Sequence, residues 1–322
     1  MAARQRGAAL LMVLLLVIII ALLASLLLEL SSLNLARTRN LQGRVQAQAH
    51  ALGAEQLARA QVPVLATQSP ALLPRWHARA QQQPLDGGLL HYQLRDASAC
   101  FNLNAVVIGA PGQWQRSEAG STQLLALLHA LQVPGTRAEA LVDSLVDWID
   151  QDSVPSPHGA EDAHYQLRQP AYLSAGALLA GPSELLNLAG IDPVLYQRLR
   201  PWLCTLPTAQ PTPLNVNALS AEQAPLLVML SGGSMSLADA RQWLARRPAR
   251  GWGSRQAFFA HPGLTRAAAT PYLHDQVQLL PQLFELQVEV RLEAGQAQLT
   301  SLFQADGPSP ARLLSRRWTL PE

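Results

Sequence analysis

The sequence predicts an α+β chain: one long amino-terminal helix packed on a small antiparallel sheet, with a large all-helical domain inserted between the sheet's strands. Three observations carry this. An unbroken apolar block from Ala8 to Leu28 continues into an amphipathic, proline-free stretch ending near Arg59. Helical periods punctuated by glycine and proline fill Ser121 to about Leu280, and from Phe284 the apolar period switches to two.

The apolar block holds about 21 residues, and as an α-helix covers roughly 30 Å, the thickness of a bilayer's hydrocarbon core. Arg4 and Arg6 precede it, whereas Arg37 and Arg39 follow only after Ser25, Glu29, Ser31 and Ser32. That asymmetry keeps the amino terminus in the cytoplasm and sends the carboxy-terminal bulk across the membrane. A secretory signal's apolar region, ~7 to 15 residues, is shorter than this block. Beyond it Leu30, Leu33, Leu35, Leu41, Val45, Ala49, Leu52 and Leu57 fall mostly three or four apart among polar residues. One helix is therefore predicted over about 8–60, spanning the membrane over 8–28 and ending before Val62-Pro63.

Pro63 to Pro84, rich in Pro, Gln and Ala, reads as a connection. Leu89 to Leu94 alternates as a strand, and in Phe101-Asn-Leu-Asn104 alternation would place Phe101 and Leu103 on one face, Asn102 and Asn104 on the other. Helices are expected around Leu124–Leu131, over Ala138–Ile149, Ser183–Ala189, Pro193–Leu203, Ala221–Leu230, Leu237–Ala245 and Arg255–Phe259. Phe284–Leu292, Gln296–Phe303 and Ala311–Trp318 read as strands, the first two joined by a tight turn over Glu293–Gln296. Residues 61–120 and 281–322 would thus build one α/β unit around an insertion at 121–280.

The 322 residues carry a formal charge of +2, too small for a global electrostatic case for nucleic acid. Every one of the 24 basic residues is arginine, which reflects codon usage rather than chemistry. Cys100 and Cys204 both fall on the exported side. In an oxidising compartment they allow one disulfide, worth ~4–5 kcal/mol for a loop of about 100 residues in the chain-entropy model. Two buried reduced thiols are the alternative.

The densest chemistry lies in Asp147-Trp-Ile-Asp150-Gln-Asp152, followed by Gly159-Ala-Glu161-Asp162. Clustered carboxylates repel unless solvated or bridged by a cation, and calcium accepts oxygen ligands in flexible geometry. Asp150, Asp152, Glu161 and Asp162 are the candidate ligands; an exposed acidic loop is the plainer reading. His158 and His164 permit zinc, but oxygens outnumber nitrogens and no thiol joins them. Asp143 and Asp147 share a helix face, read as solvated. No nucleophile elbow or catalytic pairing stands out, so an enzyme is not expected.

Leu185–Tyr196 looks like a helix-hairpin-helix unit, loosely repeated from Leu214 onward. In DNA-binding proteins such hairpins offer backbone amides to phosphate. Residues 121–280 hold 10 Arg against 12 Asp plus Glu, a net of 10 − 12 = −2. That balance disfavours phosphate binding, which draws on charge neutralisation. The basic patch at Arg241, Arg246, Arg247 and Arg250 is read as a solvated helix face. No nucleic-acid partner is expected, and a membrane-anchored DNA-binding or uptake protein is the alternative.

A short basic leader ending in Gly7, an apolar helix starting at Ala8 and a polar amphipathic half resemble the type IV pilin-like class. The resemblance implies a leader at 1–7 cut after Gly7 by prepilin peptidase, with methylation of Ala8. The class pattern normally has glutamate where this chain has Met12. A characteristic absence of that glutamate, a large helical insertion and the phrases around Cys100–Asn104 and Asp147–Tyr165 resemble the minor pseudopilin K family of the type II secretion system. From it follow expectations. The chain is a non-catalytic inner-membrane protein, single-pass, with a cytoplasmic amino terminus and a periplasmic domain. It caps and initiates a pseudopilus with other minor pseudopilins and the major pseudopilin for export of folded proteins, and it binds calcium. A subunit without the buried carboxylate offers nothing to a neighbour above, since that carboxylate normally meets the neighbour's amino terminus in lipid.

Overall fold

The computed structural model describes residues 2–68, 76–265, 271–305, 307 and 309–319. Helix α1, Ala2–Ala66, exceeds the predicted span at both ends and runs through Pro63. Proline removes one helical N–H and so orphans the carbonyl four residues earlier. That carbonyl, on Arg59, accepts instead from Ala311 N at 3.4 Å, while Arg59 Nε donates to Ala311 O at 2.7 Å. Val62 is fully buried against the sheet, so the turn after the expected stop is held by packing. Part of the predicted connection, 69–75, lies outside the described residues.

The helix turns a different stripe inward than its leucine spacing predicts. Ala47, Ala51, Glu55, Ala58 and Val62 are buried at steps of three and four, whereas Leu41, Val45 and Leu57 are about two-thirds exposed. Close approach is the cause. A Cβ on Gly43 would stand 2.1 Å from Ala294 O, and one on Gly295 would stand 2.5 Å from the Gly43 carbonyl carbon. Only small residues fit where helix and sheet meet at that distance.

Strands β1 (Arg79–Leu85) and β2 (Gly88–Asp96) form a hairpin. The chain then leaves the sheet and returns as β3 (Leu283–Leu292), β4 (Gly295–Gln304) and β5 (Arg312–Thr319). The sheet order is sequential and every pairing antiparallel, β2 meeting β3 with Leu90 opposite Val290. Strand β1 corrects the reading of 63–84 as connection throughout: its Gln81-Gln82-Gln83 run is exposed and shows no apolar alternation, because β1 is an edge whose register comes from β2. Phe284, Leu286, Val288 and Val290 alternate onto α1 and close the smaller core.

The larger core lies wholly in the insertion, from Phe101 to Val277, so it reaches back beyond the boundary at 121. Helices α2 (Glu118–Ala130) and α3 (Gly135–Ile149) form its first hairpin. Helix α4 (Pro193–Leu199) follows, then α5 (Ala224–Leu230) and α6 (Leu237–Ala245). Ser117, Asp192 and Ser236 cap α2, α4 and α6 by accepting backbone N–H bonds. The insertion is not purely helical. Phe101–Asn102 pairs in parallel with Leu203–Cys204, and Leu214–Asn215 with Val277–Gln278. The predicted helix at 183–189 is a 3-10 turn, Pro182–Asn187, and the one predicted over 193–203 breaks at Arg200, before Pro201.

The expected two-sided alternation at 101–104 is also corrected, since Phe101, Asn102, Leu103 and Asn104 are all buried and the chain turns at Leu103 into a 3-10 helix. Both asparagines clamp loops. Asn102 donates to Thr208 O and Gln210 O, and Asn104 to Leu179 O and Leu206 O. Asn217 does the same for Trp252 O and Leu279 O.

Candidate functional site

Helix α3 ends where Asp150 turns to extended backbone, its N–H still bonded to Val146 O at 2.9 Å. The following loop folds back onto the helix because two helical carboxylates bind its amides. Asp147 accepts from Ser156 N at 3.1 Å, and Asp143 accepts from His158 N at 3.1 Å and Arg116 Nη1 at 2.8 Å. The i,i+4 acids expected on a solvated face are therefore buried, at 6% and 1% exposure. Their charges are consumed in holding the loop. Gly159 passes so close that a Cβ there would stand 1.9 Å from Asp147 Oδ2.

This folding brings Asp150, Asp152 and Glu161 together, with one oxygen from each within 4.8 Å of the others. Asp150 Oδ1 and Glu161 Oε1 are buried without a hydrogen-bond partner. Burial, then the neighbouring carboxylates Asp152 and Asp147, push the Asp150 carboxyl up to about 7. Burial and Asp147, Asp150, Asp152 and Asp162 likewise push Glu161 up to about 7. Oxygens around a calcium ion, at 2.3–2.6 Å from it, lie no more than about 5 Å apart, so an all-oxygen set of this spread fits such an ion. Asp162 stands outside the cluster. Its Oδ1 accepts from Ser174 N and Oγ at 2.9 and 2.7 Å, which holds its carboxyl below the usual range. His158 Nδ1 faces Asp143 Oδ2 at 3.4 Å, and neither His158 nor His164 belongs to the cluster. Behind the loop Tyr165, fully buried, meets Trp148 edge-on at 5.2 Å and stacks on Tyr172 at 5.3 Å.

Cys100 and Cys204 are disulfide-bonded, their Cα atoms 5.8 Å apart, beside the parallel pairing of 101–102 with 203–204. Gly7 and Ala8 lie inside α1, and the Met12 side chain is exposed on it. The α1 stretch with the highest hydropathy buries none of its surface within the chain and has the length and composition to cross a membrane.

Among the described residues two further carboxylates are buried away from this loop. Glu55, on the inward stripe of α1, accepts from Ser301 Oγ at 2.5 Å and from Arg316 Nε at 2.8 Å. Asp96, at the end of β2, accepts from Ser98 Oγ at 2.6 Å and from Asn215 Nδ2 at 2.7 Å, which joins sheet to insertion. Burial pushes the Asp96 carboxyl up despite those bonds. Glu55 was traceable as a carboxylate one helical step from Ala51 and Ala58. Asp96 had no such signal, because Asn215, the partner that ties it to the insertion, is over 100 residues away.

Residues 99–208 and 214–278 match the two family models for type II secretion system (T2SS), protein K. The chain is 38% identical over 279 residues to type II secretion system protein K of Klebsiella pneumoniae, covering 85% of each. It is 36% identical over 261 residues to the putative type II secretion system protein K of Escherichia coli K12, covering 80% of each. The structure superposes with a TM-score of 0.72 and 30% identity on a chain of the crystal structure of the GspK-GspI-GspJ complex from the enterotoxigenic Escherichia coli type 2 secretion system. The match covers 88% of this chain and all of that one.

Proposed function

The chain belongs to the type II secretion system protein K family of minor pseudopilins, and we propose that it sits at the tip of the pseudopilus, where it initiates and caps assembly. The two faces of α1 carry the reading. One face of alanines is consumed by the chain's own sheet, while Leu30, Leu33, Leu35, Leu41, Val45 and Leu57 remain exposed on the helix. Of these, Leu30, Leu41 and Val45 fall within about 60° of one another around the helix, and such an exposed apolar stripe beyond the membrane span fits packing against helices of other subunits. The solved relative stands in complex with GspI and GspJ, so the corresponding minor pseudopilins are the first neighbours we assign, with the major pseudopilin below.

In this reading the helix anchors the chain in the inner membrane before assembly, its head in the periplasm. Prepilin peptidase cuts after Gly7 and Ala8 becomes the methylated terminus. Met12 supplies no carboxylate for a further subunit, and the insertion adds bulk above the sheet. The role is assembly, without catalysis. The DNA-binding alternative has no support, since both segments that suggested hairpins fall in the secretion-family matches. The test is the mass and amino terminus of the protein from membranes of hosts with and without prepilin peptidase. A chain beginning at methylated Ala8 only in the first host is expected; a chain starting at Met1 in both overturns it.

Asp150, Asp152 and Glu161 would hold calcium. A bound divalent cation supplies the positive charge these oxygens lack. The chain's part is to position them: Asp143 and Asp147 pin the loop, and the Tyr165 cluster braces it from behind. The charge-neutralised loop would then be a rigid part of the insertion's surface.

A further inference from the structure

The two apolar cores do not merge, and a cleft of about 310 Å³ separates the outer face of the sheet from the insertion. Its charged lining is His77, Arg95, Asp96, Arg200, Glu285 and Arg317. These come from β2, β3, β5, the turn before β1 and the turn after α4, so the cleft exists only in the complete fold.

Its carboxylates are already engaged. Glu285 pairs with Arg95 at 2.8 Å, and both oxygens of Asp96 are taken by Ser98 and Asn215. Arg200 makes one long bond, to Leu203 O at 3.4 Å, and Arg317 lies against Gly181, its Nη1 3.3 Å from where a Cβ would stand. Among the described residues neither Arg200 nor Arg317 has an ion pair. Two arginines therefore line one concave, partly enclosed cleft whose carboxylates are engaged elsewhere, where potential is focused and an anion gains more than on an open face. The planar fork of arginine matches a carboxylate in two parallel hydrogen bonds.

We propose that this cleft between sheet and insertion binds carboxylates of an acidic segment of another protein, through Arg200 and Arg317. A volume near the lower end of ligand pockets admits one or two side chains rather than a folded element. The exposed Arg241, Arg246 and Arg250, on and after α6, lie outside this cleft and serve as the comparison.

The probe is a fluorescein-labelled hexaglutamate peptide, titrated by anisotropy against the full chain in detergent micelles at low and physiological salt. Saturable binding is expected, weakened at least ~10-fold by Arg200→Glu with Arg317→Glu and less than ~2-fold by Arg241→Glu with Arg246→Glu. Gly181→Asp would place a carboxylate beside Arg317 from within. It should abolish peptide binding without lowering the melting temperature, which separates loss of the site from loss of the fold. The proposal is overturned if the wild type does not bind, if both arginine pairs matter equally, or if Gly181→Asp binds as well as wild type. An oligothymidylate of equal charge that binds as tightly, with the same loss on substitution, would also overturn it, by showing a general anion site. Because the readout is binding to the purified chain, it is independent of whether the protein assembles at a pseudopilus tip.

Discussion

Glu55 and the acidic loop show two fates of a carboxylate at the residue scale. Burial alone would lift the Glu55 carboxyl, but hydrogen bonds from Arg316 and Ser301 and the charges of Arg316 and Arg59 outweigh it and hold it below its ordinary value. A lowered folded value means stability that is complete above the unfolded pKa of about 4.3 and is lost as pH falls through the folded one. Melting followed from pH 5 downward should therefore show an acid loss in the wild type that Glu55→Gln reduces. At pH 7 Glu55→Ala should cost about 1–3 kcal/mol, less than a fully buried pair because Arg316 is partly exposed. At Asp150 the charge of Arg116 opposes the burial without overcoming it, and at Glu161 no positive charge does. With calcium about 100-fold above its dissociation constant, binding adds ~2.7 kcal/mol, so chelation should lower the melting temperature by roughly 5–10 °C. Asp150→Asn with Glu161→Gln should remove that response, and a wild type indifferent to chelator would show that no ion stabilises the loop. The carboxylate density of 147–162 was legible in the sequence; that Asp162 is bonded to Ser174 while Asp143 and Asp147 are buried was not, since the loop's return path decides it.

At the scale of elements, legibility followed whether a segment's apolar pattern is its own. Strands β3 and β4 alternate because one face meets α1, and their spans come within about one residue of the expectation. Strand β1 had no pattern to read, being an exposed edge held by its neighbour. Helix α1 shows the opposite case, with a clear leucine period that marks the wrong face. Leu41, Val45 and Leu57 are outward, while the inward stripe is mostly alanine with Glu55 and Val62, and the backbones of helix and sheet close on each other at Gly43 and Gly295. Ala51→Leu should therefore destabilise the head by about 1–3 kcal/mol through overpacking. Leu41→Ala, on the exposed face, should leave its melting within about 0.5 kcal/mol while weakening association with partner subunits. Thermal melts with co-purification from membranes separate the two. Loss of fold in Leu41→Ala would contradict the assignment of faces.

Across the whole molecule the chain is a small helix-on-sheet unit carrying a larger helical body between its second and third strands. The period change near 284 and the punctuated helices before it made that plan readable. Of what joins the parts, the Cys100–Cys204 bond was readable as the one disulfide that two exported cysteines allow, whereas the Asp96–Asn215 contact and the Arg59–Ala311 bonds, each between residues over 100 apart in sequence, were not. On the proposed function the plan would give the protein two surfaces with separate tasks, an exposed apolar stripe of α1 for neighbouring subunits and an insertion that ends the stack. The most direct measurement is disulfide crosslinking in membranes, with cysteine at Leu41 or Val45 paired to cysteines on the helices of the co-expressed minor and major pseudopilins. Crosslinks to two minor pseudopilins from these positions, and none from cysteine at Ala51, are expected. Crosslinks from Leu41 and Val45 to the major pseudopilin alone, along a filament and at many copies, would contradict the tip assignment.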